Sequence, residues 1–472
     1  MRRRGPDARG IKITERAILF HTRLIVVDPE NGAQPMTQKE NGLEYTIVYN
    51  GELYNTEELR KELTAAGIEF FGHSDTEVVL KSYIHWGEKC LDRFNGIFAF
   101  AVWEEATQRL FFARDRMGVK PFFYALKNDT FIFGSEIKTL LEYPDIEPVI
   151  DRKGIIDLLF IGPGRTPGCG VFRDIHELEP GHCGTFDRNG LRTFSYWKLK
   201  DRLHTETFEE TSDHVRYLVT DAIRRQLVSD VPLGTFLSGG LDSSIISAVA
   251  ASHFRSLGHQ LDTFSVTYTD NQKYFKTSKF QPTTDEPYIQ MMAEFLGSNH
   301  HTFVVDNEQL ALALKAAVDA RDLPGMADVD SSLLLFCEEI KKHVTVALSG
   351  ECADEIFGGY PWYRDEKIRS AYGFPWAQTT AMRQKFLTPH LRKLIDGEAE
   401  VSARYEQALA ETDKSEGLSP KESRLREMVH LNMYWFMQTL LTRKDRMSMY
   451  HGLEVRVPFC DHRIAEYMYS VP

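Results

Sequence analysis

The chain has 472 residues, 42% hydrophobic and 26% charged, with 56 Lys plus Arg against 68 Asp plus Glu and a net charge of −12. At about 150 residues per domain this predicts two or three packed domains, and the acidic balance argues against nucleic acid or an anionic membrane as the main partner. No apolar run reaches the roughly 18 residues of a membrane span, no apolar signal-peptide core follows the basic start, and six scattered cysteines (Cys90, Cys169, Cys183, Cys337, Cys352, Cys460) without CxxC spacing predict reduced thiols in a cytoplasmic protein.

In chain order, residues 1–160 read as an α+β domain. Short β-branched and aromatic runs predict strands at 17–20, 45–49, 96–103, 109–113 and 130–133. Helices are expected at 56–66, with Thr56 as N-cap and Gly67 as the stop, and at 76–86. From 161 to 205 the text turns to Gly, Pro and short polar residues, which reads as a linker. One long surface loop of the first domain is the alternative. Residues 206–472 then alternate between helix and strand: a helical face through Val215, Leu218, Val219, Ile223 and Leu227, a strand at 231–237, a helix at 243–255 and a strand at 261–268. A helix at 288–296, a strand at 301–305, a helix at 310–321 and a strand at 344–348 follow. That rhythm predicts βαβ units around a parallel sheet, and residues 365–450 read as mainly helical.

The strongest chemical signal is Ser238-Gly-Gly-Leu-Asp-Ser-Ser244, between an apolar strand and a helix. Glycines let the backbone approach an anion, hydroxyls add donors, and the free N–H groups of a helix start complete a phosphate cradle. Asp242 would repel bare phosphate and makes sense with Mg²⁺ between the two. The loop is no Walker A motif, since it lacks the Gly-Lys-Ser/Thr ending. A second cluster, Ser349-Gly-Glu-Cys-Ala-Asp-Glu to Tyr360, follows the later strand. In a parallel sheet both clusters face one crevice at the carboxyl ends of the strands. The plainer reading of its acids is a helix N-terminus that favours them through its dipole.

These loops resemble those of the glutamine-dependent asparagine synthetases, members of the ATP pyrophosphatase group. Lys444-Asp-Arg-Met-Ser-Met and Gly452-Leu-Glu-Val-Arg-Val-Pro-Phe-Cys-Asp461 resemble that family's third signature. The resemblance implies ATP and Mg²⁺, with Asp242 and Asp354 holding the metal. Leu237, Ser238, Gly239, Gly240, Asp242, Ser243, Ser244, Val266, Ser349 and Gly350 would bind ATP and pyrophosphate. Glu351 would position or deprotonate ammonia, and Lys444 would stabilise charge on the leaving group. The implied reaction converts aspartate to an acyl-adenylate with release of pyrophosphate, and ammonia then displaces AMP. The stretch Leu323-Pro-Gly-Met-Ala-Asp-Val-Asp-Ser-Ser332 carries Asp328 and Asp330 where some relatives have Thr and Arg suited to aspartate. Two alternatives therefore stay open: an amide- or β-lactam-forming synthetase on another carboxylate, and a non-catalytic paralogue.

The first domain is similar to the family's N-terminal-nucleophile glutaminase, an αββα layered fold. The motifs are Arg4-Gly-Pro-Asp7, His21 to Asp28, Val48-Tyr-Asn-Gly-Glu-Leu-Tyr-Asn55, His73-Ser-Asp-Thr-Glu-Val78 and Arg114 to Pro121. By resemblance Arg23 would bind the glutamine α-carboxylate and Asp75 its α-ammonium. Asn50 and Gly51 would form the oxyanion hole, and Glu52 would hold the amino-acid end. Taken alone, Asn50-Gly51 is more often a hairpin turn. The family's nucleophile is a leading cysteine whose α-amine acts as base. The expectation is therefore a fragment short at both ends, in which nitrogen comes only from ammonia, whereas the full-length protein would use glutamine. The expected partners are small molecules (aspartate, ATP, glutamine or ammonia), with no nucleic acid and no membrane; a homodimer stays open.

Overall fold

Side-chain alternation builds the first domain. Along β4 (Leu43–Leu53) and β5 (Gly96–Glu104), Ile47, Tyr49, Phe98 and Phe100 enter one core, while Val48, Ala99 and Ala101 enter another. This period of two lets one sheet be buried on both faces. The computed structural model describes residues 1–277 and 283–472. It adds β1 (Ala8–Ile13), β2 (Ile18–Arg23), β3 (Met36–Glu40), β6 (Arg109–Arg114), β7 (Phe123–Lys127), β8 (Thr130–Gly134), β9 (His176–Glu177), β10 (His182–Asp187) and β11 (Gly190–Ser195). The main antiparallel sheet runs β11-β10-β6-β5-β4-β3, beside a smaller sheet β8-β7-β9 and the ribbon β1-β2. Helices α1 (Thr56–Ala65) and α2 (Asp75–Trp86) cover one face through Leu59, Val78 and Val79. Phe112, Phe122 and Leu178 join the two sheets, and the helix Ile137–Leu141 covers Phe123 and Ala125 beyond them. The order is helix, sheet, sheet, helix, the αββα layering expected from the sequence.

Several local expectations change. Asn55, not Thr56, precedes α1, and its side chain does not cap the helix. It bonds Arg93 O and Asn95 N at 2.9 Å each, which pins the loop ahead of β5. Asn50 and Gly51 are not a turn. They lie within β4, opposite Ala99 and Phe98, and a Cβ at Gly51 would come within 2.3 Å of Ile97 O. The hairpin turn is Asn41-Gly42, where both residues have positive φ. The stretch 161–205, expected as a linker, carries β9, β10 and β11. Strand β10 pairs with β6 from Cys183↔Ala113 to Phe186↔Leu110, so the glycines and prolines around it serve as turns between ordered pieces.

The second domain is a parallel sheet, ordered β14-β13-β12-β15-β16. Its strands are β12 (Leu233–Phe236), β13 (Asp262–Tyr268), β14 (Asn299–Val305), β15 (Val346–Leu348) and β16 (Glu454–Arg456). Leu233, Val346 and Leu348 pack on one face against Ile223, Ile246 and Ala250 of the helices Phe208–Arg225 and Leu241–Ser256. Phe236, Phe264 and Ala347 pack on the other against Phe336, Cys337 and Ile340 of the helix Asp328–Lys341. Among the described residues no helix is long and apolar enough to cross a membrane.

The cysteines depart from expectation. Cys352 and Cys460 form a disulfide with Cα atoms 5.8 Å apart, while Cys90, Cys169, Cys183 and Cys337 are free. The bonded pair lies 108 residues apart in sequence. It meets only because the segments after β15 and β16 are neighbours in the sheet, so residue spacing gave no sign of it.

Candidate active sites

The loops after β12 and β15 lie side by side because their strands pair from Leu233↔Val346 to Thr235↔Leu348. A Cβ on Gly350 would sit 3.1 Å from Asp242 Cβ and 3.4 Å from Ser243 N. The Ser238-to-Ser244 loop is shaped from within. Ser238 N–H donates to Ser243 Oγ at 3.1 Å, and the Ser238 and Ser243 hydroxyls are 3.0 Å apart. Gly239 has φ +75°, and a Cβ there would strike Tyr288 and Ile289. The helix Leu241–Ser256 then starts from Gly240 with no side-chain cap, which leaves its first N–H groups for an anion. Ser244 lies in the first turn. Leu237 is fully buried and its N–H donates to Phe264 O at 2.8 Å, so its side chain forms floor rather than lining. Val266 lies half-buried on β13.

The acidic residues of the two loops differ in electrostatics. Burial pushes the Asp242 carboxyl up to about 6, and the nearby Asp354 adds to the rise. Burial also raises Asp354; Arg364 opposes this and Glu351 reinforces it. A carboxylate raised by burial and by a second carboxylate beside it is one a divalent cation would relieve. Among the described residues no three His, Cys, Asp or Glu side chains gather into a metal site, so phosphate oxygens would have to complete the coordination. Glu351 is the opposite case. Burial alone would raise it, but Lys444 at 3.2 Å from Oε2, Arg443 at 3.1 Å from Oε1 and the Ser349 hydroxyl at 2.8 Å bring it down to about 2. Lys444 is buried and lies 4.6 Å from the Phe236 ring.

A cavity of about 1620 Å³ opens in the first domain, and Arg23, Asn50, Gly51, Glu52 and Asp75 all line it. Asn50 Nδ2 is buried without a partner, as an oxyanion donor awaiting its ligand would be. The others already have partners. Arg23 donates to the carbonyls of Val27 (2.9 Å), Asp28 (2.6 Å) and Pro29 (3.2 Å). Asp75 accepts from Tyr49 Oη at 2.8 Å and Leu53 N at 3.1 Å. Asp28 shapes the rim by accepting the N–H groups of His73 (2.7 Å) and Ser74 (3.0 Å). Two of the sequence motifs thus meet there.

The contacts that join the domains were not foreseen from the sequence. Glu52 faces Arg456 of β16 at 3.3 Å. Arg456 also binds Glu454 at 2.9 Å, and Lys120 lies 3.5 Å from Glu454. The Arg456 carbonyl accepts the Ser349 N–H at 2.9 Å. One residue therefore touches both sites. Arg4 makes a two-pronged bond to Asp445, 2.6 and 3.0 Å, in the buried interface. Arg4, Lys120, Asp445, Glu454 and Arg456 all lie within the motifs quoted above, but their pairing across the domains had no sequence signal.

Fold and sites define an ATP-dependent carboxylate-amide ligase joined to a glutamine amidotransferase domain. The asparagine synthase family matches residues 214–472, and the glutamine amidotransferase domain matches residues 1–197. Asparagine synthetase (glutamine-hydrolyzing) 3 of Bacillus subtilis (strain 168) is 52% identical over 471 residues, covering 100% of this chain and 76% of the relative. Asparagine synthetase (glutamine-hydrolyzing) 1 of the same organism is 33% identical, covering 99% and 76%. Amidase chry2 of Gibberella zeae is 28% identical, covering 99% and 77%. The chain belongs to the asparagine synthase family.

Proposed function

We propose that the second domain activates the side-chain carboxylate of aspartate with ATP and converts the adenylate to asparagine with ammonia. A carboxylate oxygen attacks the α-phosphorus and the bond to the bridging oxygen breaks, releasing pyrophosphate. Ammonia then attacks the acyl carbon and AMP leaves. The observation that carries this reading is the juxtaposed pair of loops after β12 and β15, with a phosphate cradle and Asp242 on one and Asp354 on the other, close enough to raise the Asp242 carboxyl. Mg²⁺ held by Asp242, Asp354 and phosphate oxygens would neutralise charge on the triphosphate.

The chain's own residues account for the remaining steps. Ser238, Gly239, Gly240, Ser243, Ser244, Ser349 and Gly350 offer hydroxyls and close backbone to the phosphates, Leu237 closes the floor, and Val266 offers an apolar edge to the adenine. Lys444 supplies a compact positive charge where the leaving pyrophosphate accumulates its own. Glu351, held at about 2, stays ionised at neutral pH and is too weak a base to take a proton from ammonium. Its role is to hold Lys444 and to attract the incoming nitrogen. Nitrogen would come from free ammonia, or from glutamine bound by Arg23, Asn50, Gly51, Glu52 and Asp75. The test is pyrophosphate release from ATP with ammonium and a panel of carboxylates. Release that depends on aspartate supports the reading; release with a different carboxylate alone replaces the acceptor.

A further inference from the structure

The acceptor stretch, residues 323–332, contains no basic residue, and its buried acid is bonded through one oxygen, Oδ1 having no hydrogen-bond partner among the described residues. Asp330 Oδ2 accepts from Arg321 Nη1 at 2.9 Å. Gly325 closes over that pair so tightly that a Cβ there would meet Asp330 at 1.9 Å and Arg321 at 2.7 Å. The cation that faces this stretch arrives from elsewhere in the chain. Arg443, on the helix Met437–Met449, reaches Met326, whose Sδ lies 4.0 Å from Nη1.

Arg443 is also under-used. Its Nη2 donates to Glu351 Oε1 at 3.1 Å, Nη1 has only the sulfur contact, and Nε is buried without a partner. Lys444 and Ser349 share the other oxygen of Glu351. Two cations thus converge on one carboxylate, and Arg443 keeps donors free on the side of the acceptor stretch. A buried donor without an acceptor is destabilising, and such groups are seldom left so unless a ligand or water completes them. A guanidinium fork matches a planar carboxylate in geometry as well as charge.

We propose that Arg443 binds the non-reacting α-carboxylate of the acceptor and thereby restricts the site to amino dicarboxylates. This rests on the acyl-adenylate reading above. The reacting carboxylate must stay free to attack ATP, so a second one needs its own cation, and Arg443 lies between the acceptor stretch and Glu351.

The test uses the whole chain with MgATP and ammonium and compares aspartate with β-alanine, which keeps the reacting carboxylate but lacks the α-carboxylate. Wild type should prefer aspartate by about 100-fold in kcat/KM for pyrophosphate release, in line with the loss of a charged bidentate contact. In Arg443→Gln that preference should fall at least about tenfold, through KM for aspartate, with KM for ATP within about twofold. Arg443→Lys should fall between the two. Because the preference is a ratio within one preparation, misfolded enzyme does not distort it. If Arg443→Gln is insoluble, Arg443→Lys must still show the reduced preference. An unchanged ratio, or a variant whose loss lies in KM for ATP, overturns the proposal and makes Arg443 a clamp on Glu351 or a phosphate ligand. If another dicarboxylate is the true acceptor, the same ratio is taken with its α-decarboxylated counterpart, so a wrong acceptor is distinguished from a wrong role. If no carboxylate supports pyrophosphate release, the acyl-adenylate reading and this proposal fall together.

Discussion

Asp242→Asn should raise the stability of the ligand-free protein while abolishing its chemistry. Burial and the neighbouring Asp354 push the Asp242 carboxyl from its ordinary 3.8 to about 6. At about 1.4 kcal/mol for each pH unit, holding that charge costs the fold ~3 kcal/mol, and water reaching the half-buried side chain trims this to ~2 kcal/mol. The sign follows from the raised value. The cost is absent below pH 3.8, where the group is protonated in both folded and unfolded chains. It grows as pH rises and is complete above about 6. At pH 8 the variant should therefore melt about 4 °C higher than wild type. Thermal melts without nucleotide read the first effect, and pyrophosphate release with ammonium and aspartate should drop by at least about 100-fold. MgATP should raise the melting temperature of wild type far more than that of the variant. A variant no more stable than wild type, or one that still releases pyrophosphate at a near-normal rate, would refute the reasoning that these carboxylates are poised for a cation.

Three further outcomes follow from the same geometry. Arg456→Met should destabilise the protein by about 3–5 kcal/mol in chemical denaturation, because it leaves Glu52 and Glu454 buried without their shared cation; a loss under about 1 kcal/mol would mean the interdomain pairs are incidental. Glu351→Gln should lose the stability that comes from a depressed carboxyl. That contribution is complete above the ordinary 4.5 and disappears as pH falls through about 2, so the difference from wild type should be ~3 kcal/mol at pH 7 and shrink in acid; a pH-independent difference would contradict it. In denaturant without reductant the chain should show four reactive thiols, rising to six after reduction. Reduction should cost about 4–5 kcal/mol for a loop of this length; six thiols at the outset would rule the bond out.

Much of the fold was legible in the sequence because it rests on local periodicity. The strands 96–103 and 109–113 and the helices 76–86 and 243–255 appear within a few residues of their expected ends, since alternation and helical spacing are carried by adjacent residues. Strands β10 and β11 were hidden among glycines and prolines; what defines them is the pairing of β10 with β6, 70 residues upstream at Cys183↔Ala113, and of β11 with β10. The loops proposed to build the synthetase site were readable because their chemistry is contiguous. The side chains that tune them were not: Arg4 meets Asp445 across 441 residues, Arg443 meets Glu351 across 92, and Cys352 meets Cys460 across 108. Asn50-Gly51 shows the converse, a pair that reads as a turn in isolation and is held in a central strand by the close approach of β5.

The measurement that tests the account most directly is the stoichiometry of ATP cleavage with ammonium and aspartate. AMP and pyrophosphate are expected in a one-to-one ratio with asparagine, and oxygen from an ¹⁸O-labelled aspartate carboxylate should appear in AMP. Release of ADP and inorganic phosphate, or AMP without transferred label, would contradict adenylate formation at the loops after β12 and β15.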